Sequence, residues 1–409
     1  MIERIITKAT SFRDQVTKIL SELIQVKSLS GKEQLVLDKI TQILDDLELR
    51  TYSYDQLGNL ILKIGSGSQS IAFDAHIDTV DSGDLEQWKT EPFSGVVDSG
   101  FIHGRGAVDQ KGGAAAMIAA AHIINQLNLY PQYTLFFTFT IMEEDCDGLC
   151  WNYLIEKHHL KPDFAVITEP TNLNVYIGHR GRMEIDVEFK GISAHASAPS
   201  RGRNAIYSAC YNILDLEQLN NQLKSDPFLG SGSLAVTNIR SNSPSFCAIP
   251  DYAIIHLDRR LTSGETAQSA LVEIEHVLKK NLKSDQYHVS IPQYLKPSYR
   301  GITYPHKKFF PSWITNMEHP LVEAAQQTYQ QLFGYLPELG KWIFSTNGVA
   351  LCGKHHIPTL GFGPGNEIYA HSPNEKIPQE DLVQASIFYS LLPHYLTQST
   401  NQGTKTNET

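Results

Sequence analysis

The stretch SIAFDAHID ends in His76-x-Asp78, an imidazole and a carboxylate two residues apart at the close of a strand-like run. In open sheets ligands bind beyond the carboxyl ends of strands, so this is where reactive groups are expected. His76 is a candidate metal ligand, and Asp78 can hold its ring directly or through the backbone. A histidine at a strand end can equally be solvated and idle. Further on, Gly104-Arg105-Gly106-Ala107-Val108-Asp109-Gln110-Lys111-Gly112-Gly113 sets an aspartate at a helix start. A phosphate loop is the competing reading, but the spacing fits neither G-x-x-x-x-G-K-[ST] nor G-x-G-x-x-G, and an acid at that position repels phosphate. Asp109 can instead bridge two cations with its two oxygens.

The run TLFFTFTIMEEDCDG ends in adjacent Glu143 and Glu144. Two carboxylates at the buried end of an apolar strand are costly unless something positive neutralises them. One can ligate a metal while the other holds a proton beside the water it activates; the alternative is a solvated loop start. Glu169 follows the strand FAVIT, and His371 lies far downstream in YAHSPNE. Each of these is ordinary taken singly. Together, two His, one Asp and two Glu at strand ends or following turns make a carboxylate-rich site suited to zinc or, less tightly, manganese or cobalt.

Such groups need a scaffold that brings strand ends together. Apolar residues at helical spacing predict helices over 11–28 and 32–47, followed by strands LILKIG and SIAFDAHID, an Ala-rich helix ending near Leu127, and strands TLFFTFT and FAVIT. This alternation predicts an α/β fold with a mostly parallel sheet covered on both faces. From about Arg182 the order becomes β-α-β-β-α-β, a ferredoxin-like module. A helix from Pro320 to Phe333, an apolar segment at 359–362 and a helix from Gln379 to Leu392 follow. The expectation is a discontinuous α/β domain from 1–180 and 295–395, a module inserted over 181–294, and a loose polar tail over 396–409.

A chain of 409 residues is long enough for two domains. The formal charge of −10 argues against a phosphate-backbone binder, so no nucleic-acid partner is expected. No stretch reads as a signal peptide or a membrane span. Five scattered cysteines show no disulfide framework spacing, which points to a reducing cytoplasm. Cys146 and Cys150 flank the glutamate pair, but Cys-x-x-x-Cys is not a usual zinc-ribbon spacing, and packing is the favoured reading over ligation.

These motifs, in this order, resemble the dizinc peptidase and deacylase family that includes acetylornithine deacetylase, succinyl-diaminopimelate desuccinylase and carboxypeptidase G. The resemblance spans residues 10 to 395. EEDCDGLCW and GHRGRMEIDVEFKG look most like a subgroup labelled selenium-metabolism-linked hydrolases. The resemblance implies two Zn2+ ions (Co2+ or Mn2+ possible), with His76 and Glu169 on one, Glu144 and His371 on the other, and Asp109 bridging. It implies Glu143 as general base; Asp78, as the partner of the His76 ring, is counted with the catalytic residues. The inserted module is implied to be a lid through which the chain forms a homodimer. His195 in GISAHASAP is implied to reach the substrate oxyanion, Arg260 in LDRRL to clamp a substrate carboxylate, and Arg180 in GHRGRM to offer a second binding position. The implied reaction is hydrolysis of the amide of an N-acyl amino acid. The alternatives are a dipeptidase, aminopeptidase or carboxypeptidase acting on short peptides, and a metal-binding oligomer that has lost catalysis. One departure stands out: relatives carry an Asn shortly before an Ile-Pro or Val-Pro, whereas this chain reads Ser245-Phe246-Cys247-Ala248-Ile249-Pro250.

Overall fold

The computed structural model describes residues 1–406, with side chains described to Ser399. Helices α1 (Ile2–Ser11), α2 (Arg13–Ile24) and α3 (Gln34–Asp46) lead to strands β1 (Tyr52–Tyr54), β2 (Leu60–Ile64) and β3 (Gln69–His76). Next come α4 (Lys111–Leu127), β4 (Tyr133–Thr140), α5 (Leu149–Glu156), β5 (Phe164–Ile167) and β6 (Tyr176–His179). A second group follows: β7 (Gly181–Lys190), α6 (Ala205–Asn220), β8 (Ser233–Asn242), β9 (Tyr252–Leu261), α7 (Ala267–Leu278), β10 (Tyr287–Ser290) and β11 (Phe309–Phe310). The chain then returns with β12 (Trp313–Ile314), α8 (Pro320–Phe333), β13 (Gly340–Trp342), β14 (Thr359–Gly361) and α9 (Gln379–Thr406).

The large sheet runs β1-β2-β4-β3-β5-β14-β6-β12, with β13 beside β6. Its centre, β4-β3-β5-β14, is parallel, while β1, β2 and β12 add antiparallel pairs at the two edges. Strands from before residue 180 and after residue 312 thus share one sheet. Alternation sorts the two faces. Leu60, Leu62, Ile71, Phe73 and Val166 join the core under α1, α2, α4, α8 and α9. Ile61, Ala72, Ala165 and Ile167 meet Trp151, Leu154, Trp313 and Trp342 on the other face.

The helix α4 is apolar all round and buried along most of its length, as a central helix must be. Glycine is required at Gly113 because a Cβ there would run into Thr168, next to Glu169. At α8, His319 caps the Leu321 amide at 3.1 Å, Pro320 opens the first turn and Gly334 closes the helix in the left-handed region.

The second sheet is antiparallel, ordered β8-β9-β7-β10, with α6 and α7 on one face over Met183, Ile185, Val187, Phe189, Ile255 and Leu257. Its opposite face carries Glu184, Asp186, His256 and Asp258, so the strands alternate apolar in and polar out. The sheet also takes β11, paired to Arg182 and Met183, from beyond residue 294.

Two local expectations need correction. The helix expected over 11–28 is the shorter α2, Arg13–Ile24, and a separate helix that was not expected, α1, precedes it, the two meeting at Phe12. The tail expected to be loose from 396 is helical to Thr406 as the end of α9; residues 407–409 lie outside the described residues. No helix among the described residues is long and apolar enough to cross a membrane.

Candidate metal centre

The ends of β3, β4 and β5 are adjacent in the parallel register, which delivers His76, Glu143, Glu144 and Glu169 to one edge of the sheet. The loop before α4 adds Asp109, and the turn before α9 adds His371. His76 Nε2 lies 2.9 Å from Asp109 Oδ1 and 3.4 Å from Glu169 Oε1. His371 Nε2 lies 3.2 Å from Asp109 Oδ2 and 2.9 Å from Glu144 Oε2. Asp109 therefore turns one oxygen to each histidine. Glu143 Oε2 stands 3.8 Å from His76 Nε2, and its Oε1 is buried without a hydrogen-bond partner, as is Glu169 Oε2.

The His76 ring has a defined orientation. Its Nδ1 donates to the Asp78 carbonyl at 3.0 Å, which leaves Nε2 pointing into the carboxylates. The Asp78 carboxylate turns instead to the glutamate turn. Its Oδ1 accepts from the Glu143 amide at 3.2 Å, and its Oδ2 accepts from the Glu144 amide at 3.1 Å and from Ser30 Oγ at 2.6 Å.

Electrostatics show why the cluster needs cations. Burial, reinforced by Asp109, raises Glu169 to about 8 and Glu144 to about 7, and burial pushes Glu143 well above the carboxylate range. Burial opposes charging of His76, but Glu169 and Glu143 outweigh it and hold the ring well above its usual value. Asp109 and Glu144 lift His371 to about 10. Carboxylates so close together repel one another unless positive charge lies between them. The orphaned oxygens of Glu143 and Glu169, the aimed Nε2 atoms and the all-N/O donor set fit divalent cations of the zinc or manganese type.

The reading from sequence missed four carboxylates here. Glu375, fully buried, accepts from the Arg105 guanidinium at 2.8 Å and from the amides of Gly106, Val108 and Asp109 at 3.1, 2.7 and 3.0 Å. Glu33 accepts from the Gly31 amide at 2.8 Å and the Met142 amide at 3.1 Å, and burial with Asp78 nearby raises it to about 8. Asp147 and Glu367 line the cleft beside the cluster. Only Glu375 had a signal, four residues after His371 in HSPNE. Glu33 falls at the start of the helix expected over 32–47, and Asp147 and Glu367 sit in loops whose composition looks solvated.

The cluster opens into a cleft of about 660 Å³, lined on the far side by Arg180, Arg182, Asp258 and Arg260, with Ile343 and Phe344 as apolar wall. The structure thus brings both expected arginines to the site. Arg260 is engaged by Asp258, at 2.7 Å through Nε and 3.3 Å through Nη2. It does not bring His195 there: that residue is exposed outside the cleft lining, in an isolated bridge to Ala248, with Nδ1 accepting from Ser197. Cys146 and Cys150 are buried free thiols; Cys150 Sγ lies 3.2 Å from Asn347 Oδ1.

Comparison with known proteins places the chain among relatives. The profile of peptidase family M20/M25/M40 matches residues 72–394. The chain is similar to the uncharacterised protein YgeY of Escherichia coli (strain K12), 42% identical over 95% of this chain and 96% of that one. It is also similar to succinyl-diaminopimelate desuccinylase of Magnetococcus marinus, 26% identical over 90% of this chain and 95% of the relative. A solved dinuclear metal-binding peptidase of Bacillus subtilis shares the fold with a TM-score of 0.69 at 18% identity, covering 94% of this chain and 98% of that one.

Proposed function

Because the chain belongs to peptidase family M20/M25/M40 and is a hydrolase of amide or peptide bonds, we propose that it cleaves the amide of a small N-acylated amino acid with two divalent cations of the zinc type. The observation that carries this reading is Asp109, whose two oxygens face two separate His/Glu pairs, His76 with Glu169 and His371 with Glu144. The cations would be held by these five residues and would supply the charge that neutralises them and makes water acidic near neutral pH.

Glu143 is the proton carrier. Its unpartnered, buried Oε1 takes the proton of the attacking water and hands it to the leaving amine. Asp78 holds the Glu143 backbone in place and, through its carbonyl, the His76 ring. Arg180 and Arg260 receive a substrate carboxylate, Arg260 by sharing its guanidinium with Asp258. His195 serves the oxyanion from the partner subunit of a homodimer. An unpaired edge strand, β8, and an exposed stripe of Tyr207, Tyr211 and Leu214 on α6 support that dimer. The module over 181–294 acts as its lid. Five free thiols support a reducing, cytoplasmic setting.

A second reading, a dipeptidase or other peptidase on the same scaffold, is favoured by the fold shared with a solved peptidase. A panel of N-acetyl and N-succinyl amino acids and dipeptides, assayed after chelation with zinc, cobalt or manganese added back, separates the two. Failure of the whole panel with every metal would remove the proposed reaction.

A further inference from the structure

Most charged groups lining the cleft have a partner. The acids beside His76 and His371 face the proposed cations, Asp147 meets Arg182 at 3.1 Å, and Asp258 meets Arg260 at 2.7 Å. Two charges are left over. Arg180 makes no ion pair among the described residues; its Nη1 donates to the Ser231 carbonyl at 2.8 Å, and burial and the neighbouring Arg260 hold it below its usual pKa. Glu367 makes no side-chain hydrogen bond or ion pair among the described residues, its Oε2 is buried without a partner, and burial raises its pKa.

Glu367 also sits where it can meet a substrate. It opens the 3-10 turn Glu367–Tyr369, capped by Asn366 accepting the Ile368 amide at 3.1 Å, on the same loop as His371 and four residues before it. A desolvated carboxylate with no partner costs free energy that a bound cation recovers. A neutral substrate group at that place leaves the cost standing. The cleft thus offers one unmatched anion and one unmatched cation to whatever fills it.

We propose that Glu367 is a specificity-determining residue that receives a substrate ammonium while Arg180 receives its carboxylate, so that the substrate is a zwitterion. This rests on the amide-hydrolase reading above and narrows it to two sources of one chemistry: a dipeptide with a free N-terminus, or an Nα-acyl diamino acid with a free side-chain amine. An amino acid whose only charge is its carboxylate is disfavoured.

The test uses matched pairs on the metal-loaded protein: alanyl-leucine against N-acetyl-alanyl-leucine, and Nα-acetyl-ornithine against Nα-acetyl-norvaline. The amine-bearing member of one pair is expected to have a kcat/KM roughly 10- to 100-fold higher, the size of one charge-assisted hydrogen bond. Glu367→Gln should collapse that ratio. Which pair shows the preference identifies the source. Equal rates within both pairs, or a preference that survives Glu367→Gln, overturns the proposal while leaving the amide-hydrolase reading intact. If nothing is turned over, that reading falls, and calorimetric binding of the same pairs to the Glu143→Gln protein, with and without Glu367→Gln, still decides the ammonium site. Equal affinities within both pairs would overturn it.

Discussion

Glu375 accepts the backbone amide of Asp109 at 3.0 Å, so a carboxylate four residues after His371 fixes the loop that carries the aspartate standing between the two histidines. The same carboxylate takes the Gly106 and Val108 amides and the Arg105 guanidinium. Two loops far apart in sequence are thereby locked to one another, and the positions of Asp109 and His371 become interdependent.

Glu375→Gln leaves one acceptor oxygen and puts an NH2 group, which cannot accept, where the other oxygen takes two N–H groups. Metal affinity is expected to fall roughly 10- to 100-fold, the usual cost of disturbing groups behind metal ligands. Competition against a chromogenic chelator measures it. Unchanged affinity in a folded variant would show that the Asp109 loop holds itself.

Glu143→Gln keeps the size of the side chain and removes its base. Turnover is expected to fall by roughly 100- to 10,000-fold, with metal content by elemental analysis unchanged. Loss of metal in proportion to activity would instead make Glu143 a ligand.

In the metal-free protein, burial raises Glu33 and Glu169 to about 8 and Glu144 to about 7, from 4.5. A carboxyl that holds its proton more tightly when folded stabilises fully below its unfolded value and loses that contribution as pH rises through the folded one. His371, lifted to about 10, acts in the same direction above its ordinary 6.5. Lys111, lowered to about 7 by burial, acts oppositely above that pH, and His179 and His306, both lowered to about 4 by burial, act oppositely up to about 6.5, but the three carboxyls together outweigh them. Chelated protein should therefore melt at a lower temperature near pH 7 than near pH 5, and added zinc should raise the melting temperature more near pH 7, because cations and protons compete for the same oxygens. A chelated protein whose melting temperature rises over that interval would refute this.

Tyr207→Glu with Tyr211→Glu places two charges on the exposed α6 stripe, where both rings are more than 60% exposed (63% and 67%). Light scattering should report a dimer for the parent chain and a monomer for the variant. A variant that remains dimeric would move the interface elsewhere.

Much of this site was legible because its chemistry lies at strand ends, which hydrophobic runs mark clearly. SIAFDAH and TLFFTFT point at His76 and Glu143, and the glycines around Asp109 mark its turn. The supporting carboxylates were not legible. Glu33 and Glu375 work by accepting backbone amides from distant loops, and nothing in the residues beside them records that pairing. Helix α1 was missed, and α2 ends at Ile24, before the expected bound at 28. The antiparallel edges of the large sheet depend on short strands such as Trp313–Ile314, too brief to show a period. Where the inserted module turns His195, outside the cleft lining, is set by packing that the residues around it do not record.

The central claim is that Asp109 stands between two cations. Metal titration of chelated protein by calorimetry, compared with Asp109→Asn, tests it most directly. The account predicts two equivalents of zinc per chain for the parent and a loss of high-affinity binding for both in the variant. A single equivalent in the parent, or two that survive Asp109→Asn, would contradict it.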